Sequence, residues 1–115
     1  MDKENIGTIK IADDVVSTIA GIAATEVDGV SRLAGGITKD DVAKTSKRTL
    51  SKGVSAVISH GDVTVDLSYE LSFGFSVKKV SEDVQNKVKQ AIETMTGLHV
   101  SKVNVVVSGI SADRN

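Results

Sequence analysis

Cysteine and tryptophan are absent from this 115-residue chain. Without cysteine there is no disulfide framework and no thiolate metal site. Aromatic residues are nearly absent too: Tyr69, Phe73 and Phe75 are the whole set. Long apolar runs are missing. The longest uncharged stretch, Val15 to Thr25, has eleven residues, about half of the roughly 20 that a membrane-spanning helix needs. No cationic segment precedes an apolar one at the start of the chain, so no secretory signal is read and the cytoplasm is the expected compartment. The net charge is −1, which excludes a globally basic nucleic-acid footprint.

What the chain does hold is valine and isoleucine, 27 residues between them. β-branched side chains are stiff and suit a pleated, half-buried surface, so a sheet is expected to supply much of the core. At this length a single domain is expected, over residues 7–110, with residues 1–6 and 111–115 as flexible tails. Thr8 to Ile11 alternates and reads as a short strand with Ile9 and Ile11 facing inward. Asp13 or Asp14 offers an N-cap for a helix from Asp14 to Val27. Val16, Ile19, Ala20, Ala23 and Val27 form its buried stripe. Gly21, in mid-helix, costs about 1 kcal/mol against alanine and so points to a close approach of the helix to its neighbour. Gly29 reads as its stop.

Residues 30–53 are the least legible. Gly35-Gly36 reads as a flexible break, and Asp40 to Leu50 as one short helix. Within residues 39–52, Lys39, Lys44, Lys47, Arg48 and Lys52 place five cations against two carboxylates. Next come two runs of period two. Val54, Ala56 and Ile58 alternate with small polar residues and valine; Val63, Val65, Leu67, Tyr69 and Leu71 alternate with Thr64, Asp66, Ser68, Glu70 and Ser72. The turn at His60-Gly61 between them makes a β-hairpin. The same parity carries Phe73 and Phe75 inward, with Gly74 as a bend and one of the two phenylalanines left exposed at a crowded corner. Val77, Val80, Val84, Val88, Ala91, Ile92 and Met95 form a second helical stripe, ended by Gly97. Val103, Val105 and Val107 alternate as a last strand. The order strand-helix-strand-strand-helix-strand defines an α+β two-layer sandwich, with two amphipathic helices on one face of a small mixed sheet.

The opposite face of that sheet is short, flat and polar, with Asp66 and Glu70 among its residues, and suits self-association or a docking partner. Phe73, Gly74 and Phe75 form a second candidate surface, since an exposed aromatic beside a glycine can anchor a partner. Lys44, Lys47 and Arg48 form a third, open to anionic groups. No residue set points to catalysis. His60 and His99 read as exposed turn residues. The pairs Asp13-Asp14, Asp40-Asp41 and Glu82-Asp83 lie near helix starts, where the macrodipole favours anions. Neighbours on a helix point about 100° apart and chelate poorly. No enzyme activity, cofactor, metal or small-molecule substrate is expected.

Several segments together resemble the alkaline shock protein family of Gram-positive bacteria. They are Gly7-Thr-Ile-Lys-Ile11, Ile19-Ala-Gly-Ile-Ala-Ala-Thr-Glu-Val-Asp-Gly-Val30, Leu50-Ser-Lys-Gly-Val54, Val63-Thr-Val-Asp-Leu67, Val84-Gln-Asn-Lys-Val88, Met95-Thr-Gly-Leu98 and Val103-Asn-Val-Val-Val107. The chain departs from the family pattern at Val77-Lys-Lys-Val80, where a proline often stands, and in lacking the extended tails of longer relatives. The resemblance implies a non-enzymatic, cytoplasmic protein of the envelope stress response. Some relatives self-assemble, some are held at the membrane by a small anchoring protein, and others are linked to fatty-acid metabolism. Two functions follow as expectations: an interaction or oligomerisation module docked on a membrane-anchored partner, or a small nucleic-acid module using residues 39–52. The absence of interleaved aromatics argues against the second.

Overall fold

A computed structural model describes residues 6–112. Helix α1 spans Asp13–Thr25 and is followed by strand β1, Val30–Leu33. A 3₁₀ turn over Lys39–Lys44 and the short helix α2, Lys47–Leu50, lead into β2, Val54–Ser59. Then come β3, Asp62–Ser72, helix α3, Val77–Thr96, and β4, His99–Ser111.

β3 is the spine. One of its edges is shared by two antiparallel partners, β2 along Asp62 to Leu67 and β1 along Tyr69 to Leu71. The other edge pairs in parallel with β4 from Asp62 to Ser72. The Ser68 backbone joins the two partners on the shared edge: its amide donates to the Gly53 carbonyl at 2.8 Å and its carbonyl accepts from Ala34 at 2.9 Å. Both helices lie on one face of this mixed sheet, α1 across β2 and α3 across β4. The two-layer α+β sandwich is therefore as expected.

Period two set the faces. Val63, Val65, Leu67, Tyr69 and Leu71 are all at most 2% exposed, while the residues between them are open or half-buried. Val80, Val84, Val88 and Ile92 recur at helical spacing on α3 and are buried against that face. Ser76 caps α3, its hydroxyl accepting from the Lys79 amide at 3.2 Å, and Gly97 ends it with φ 77°. The stripe is shorter than the spacing suggested: Val77 and Met95, at the two ends of the helix, are exposed. The close approach at Gly21 is present. A Cβ there would lie 3.0 Å from Val42 Cγ1 and 3.4 Å from side-chain carbons of Leu33 and Val54.

Six expectations are corrected. Thr8 to Ile11 forms no strand, and Ile9 is 92% exposed. Alternation only makes a segment able to pair; the place beside the second half of β3 is taken by β1, from the stretch that was least legible. The α1 N-cap is Ala12, without a side-chain cap, and Asp13 and Asp14 lie in the first turn. The helix closes at Glu26, three residues before Gly29. Gly35 and Gly36 are a tight turn, closed by the Leu33 amide on the Ile37 carbonyl at 2.8 Å, which tucks Leu33 and Ile37 into the core. Residues 40–50 are two short helical pieces. The break falls at Thr45 and Ser46, where extended backbone lets the Ser46 hydroxyl cap α2. Val42 and Leu50, one from each piece, are buried. Finally, β4 begins earlier and ends later than the valine run, reaching Ser111, which is buried. The remaining tail residues, 1–5 and 113–115, lie outside the described residues.

Tyr69 is fully buried, and its hydroxyl meets Ser81 Oγ at 2.9 Å. Burial raises its pKa above the ordinary 10.0, and the Ser81 bond offsets part of that rise. The folded chain therefore holds this proton more tightly than the unfolded chain. Its contribution to stability is complete below the ordinary value and is lost as pH climbs through the raised one. Tyr69→Phe is expected to cost about 1 kcal/mol at neutral pH, the net worth of the bond, and then to fall less steeply than the wild type above pH of about 10. Urea midpoints at neutral pH and at alkaline pH check this, with narrowing of the gap as the expected result.

Candidate functional site

The helix-free face of the sheet is built by the outward residues of three strands. Ser55, Val57 and Ser59 come from β2, Thr64, Asp66, Ser68 and Glu70 from β3, and Asn104, Val106 and Ser108 from β4. In the aligned register Asp66 stands opposite Asn104, and the Asn104 amide donates to Asp66 Oδ1 at 2.9 Å. Glu70 is paired across β1 with Arg32, Nε to Oε1 at 3.4 Å. Arg32 also donates through Nη2 to Ser111 Oγ at 3.3 Å. The two carboxylates singled out from the sequence are thus on one face, each already engaged by a neighbour. Arg32 was missed because its strand was missed; once β1 is placed, the antiparallel register alone sets Arg32 beside Glu70. Two apolar residues interrupt this polar face, Val57 at 53% and Val106 at 58% exposure; Ile110, 64% exposed, pairs with buried Leu71 and so stands on the helix side of β4.

The aromatic corner follows β3. Gly74 adopts φ 95°, a conformation that favours glycine, and turns the chain toward α3. Parity does not survive this turn: both phenylalanines are exposed, Phe73 at 69% and Phe75 at 47%. Phe75 still has a neighbour, since its ring lies over Gly29. The Phe73 amide donates to the Ser111 carbonyl at 2.8 Å, which ties the corner to the end of β4. Between the corner and the α1–β1 turn runs a groove of about 480 Å³, bordered by Val27, Asp28, Gly29 and Lys39 as well as both phenylalanines. Lys39 is the member of the basic stretch that reaches the corner. Lys44 and Arg48 do not line it, and Lys47 instead borders a separate groove with Asp13 and Asp14.

Among the described residues the histidines assemble no catalytic set. His60 Nδ1 meets Ser59 Oγ at 3.3 Å, and His99 Nδ1 meets Asp62 Oδ1 at 3.2 Å. The hydroxyl and the carboxylate contact different rings, so no imidazole is both oriented by an acid and set against a nucleophile, as acyl transfer requires. All four groups are exposed. Among the described residues no three His, Asp or Glu cluster as a metal would need. Glu93 is a carboxylate with a clear structural task. The Val100 amide, and after it Lys89, hold its pKa below the usual carboxylate value, fastening the end of α3 to the start of β4.

Fold and surface together define a small α+β domain with one sheet face open and no converging ionisable groups among the described residues. The chain belongs to the alkaline shock protein 23 family, described as having a cell envelope-related function, which it matches over residues 1–112. Similar proteins include YqhY of Bacillus subtilis, 36% identical, with 98% of this chain and 85% of the relative covered. Spy1535 of Streptococcus pyogenes is 38% identical, with 99% and 87% covered. A stress response regulator gls24 homolog of S. pyogenes is 29% identical over 90% of this chain, which spans 59% of that longer protein. Among solved structures, MamM CTD in a copper form aligns with a TM-score of 0.53 at 13% identity, covering 89% of this chain and 90% of that one. That likeness is one of fold alone. Among the described residues no helix is long and apolar enough to cross a membrane.

Proposed function

We propose that this protein is a non-enzymatic interaction module of the envelope stress response, which self-associates and docks on a membrane-anchored partner. The observation that carries the reading is the open half of the sandwich: among the described residues no layer covers this sheet face, and Val57 and Val106 stand exposed on it. A flat, uncovered sheet face that keeps apolar side chains among short polar ones can be closed by another protein surface. The Phe73-Gly74-Phe75 corner, with its groove, is the second surface, fitted to an apolar side chain of the docked partner. Lys44, Lys47 and Arg48 remain an exposed cationic rim. The nucleic-acid alternative on residues 39–52 gains no support, because among the described residues no aromatic stands on the open face or within that stretch to stack on a base.

Light scattering over a range of concentrations, with co-sedimentation on membranes from the source cells, tests the reading. The expected result is a mass above that of one chain, and pelleting with native membranes but not with protein-free lipid vesicles. Phe73→Ser with Phe75→Ser is expected to abolish pelleting while leaving the mass unchanged. A monomer that never follows membranes overturns the proposal.

A further inference from the structure

Among the described residues the outer edge of β4 is paired with no other strand, and its surroundings show where its uncapped backbone groups begin. Gln85, Lys89 and Glu93 lie four residues apart on one face of α3. Glu93 Oε2 accepts from the Val100 amide at 2.9 Å, Lys89 donates to the Val100 carbonyl at 3.1 Å, and Gln85 donates to the Val103 carbonyl at 3.2 Å. Side chains of the helix thus cap the first part of this edge. Backbone groups recur at period two along a strand edge, so those of Val105 and Val107 follow Val103 on the same side. The ladder to β3 is irregular only where Ser101 and Ser108 are skipped. Between these bulges lie six regular residues, 102–107, with one charge, at Lys102. A regular, uncapped edge with little charge is a template for another strand.

We infer that this edge pairs with β4 of a second copy, antiparallel, about a two-fold axis at Val106. This rests on the self-association reading and names its surface. Setting Val105 opposite Val107 of the second copy uses the uncapped groups of both residues and leaves the Gln85–Val103 bond intact. The same register brings exposed Val106 against its own counterpart. It also covers Val103, Val105 and Val107, which stay only partly buried on the helix side although the neighbouring β3 residues are sealed. Charge agrees with this direction. The two Lys102 residues sit at opposite ends of the contact, whereas a parallel pairing brings them together. A contact of this symmetry closes at two copies.

The absence of cysteine makes the test clean, because Val106→Cys introduces a single thiol. Facing residues of a non-hydrogen-bonded antiparallel pair have Cα atoms about 4.5 Å apart, within reach of a disulfide. Under mild oxidation Val106→Cys is expected to run as a linked dimer, while Val57→Cys, exposed on the same face, stays unlinked. Val105→Pro deletes only an outward amide, which an edge strand tolerates. It is expected to keep the wild-type circular dichroism and to lose the dimer in light scattering. A wild-type dimer that survives Val105→Pro, or that gives no Val106→Cys link, overturns this surface while self-association stands. An unfolded Val105→Pro overturns the register, since that amide would then bond to β3. A wild type that is monomeric at every concentration removes both readings.

Discussion

Gly29→Ala is expected to destabilise the protein by about 2–6 kcal/mol, a sum of two costs at one position. Gly29 sits at φ 101°, where an L side chain is strained, typically by about 1–3 kcal/mol. Its added Cβ would also lie 2.6 Å from Val80 Cγ2 and 2.9 Å from the Phe75 ring, and overpacking of this kind costs about 1–3 kcal/mol. Val80 is on the buried stripe of α3, so the methyl group pushes directly on the helix–sheet layer. Gly61→Ala separates the two costs. Gly61 has φ 83° but nothing within 4 Å of the added Cβ, so strain alone, about 1–3 kcal/mol, is expected there. Denaturant midpoints at unchanged m-value measure both. Equal losses in the two variants would show that the Val80 and Phe75 contacts yield freely.

Leu67→Ala is expected to cost about 2–5 kcal/mol, as buried leucine truncations do. Leu67 is 2% exposed on the central strand, with Val54 opposite it on β2 and Val105 on β4. A cavity there has the rigid β3 ladder on both sides and little means of collapsing, which favours the upper part of the range. Ser68→Ala, next in sequence but facing outward, is expected within about 0.5 kcal/mol of the wild type. Thermal or denaturant unfolding of the two neighbours reads the face difference directly; comparable losses would contradict the one-sided core.

The hairpin and α3 were legible because each carries its own periodicity and its own punctuation. His60 and Gly61 both take positive φ, 53° and 83°, as a two-residue hairpin turn requires. Ser76 and Gly97 bracket the helix at its two ends. The family, too, was legible, since its motifs are spread in order over the chain. The open face was readable in part: parity placed Asp66 and Glu70 outward, but neither Arg32 beside Glu70 nor Asn104 on Asp66 has a signal in local spacing. The Phe corner was half read. Parity ended at Gly74, and the place where one ring rests is created by Gly29, more than forty positions away in the chain.

Periodicity acts through nearest neighbours along the chain, so composition and spacing alone determined that valine-rich strands and two amphipathic helices would bury one common apolar side. Tertiary structure alone decided which segment completed the sheet. Thr8 to Ile11 and Val30 to Leu33 could both extend, but a strand is stabilised by bonds to another strand, and only Val30–Leu33 reaches the free half of the β3 edge, where Leu33 is buried and Arg32 meets Glu70. The same non-local bonding decided which part of β4 is capped by α3 and which part is left open.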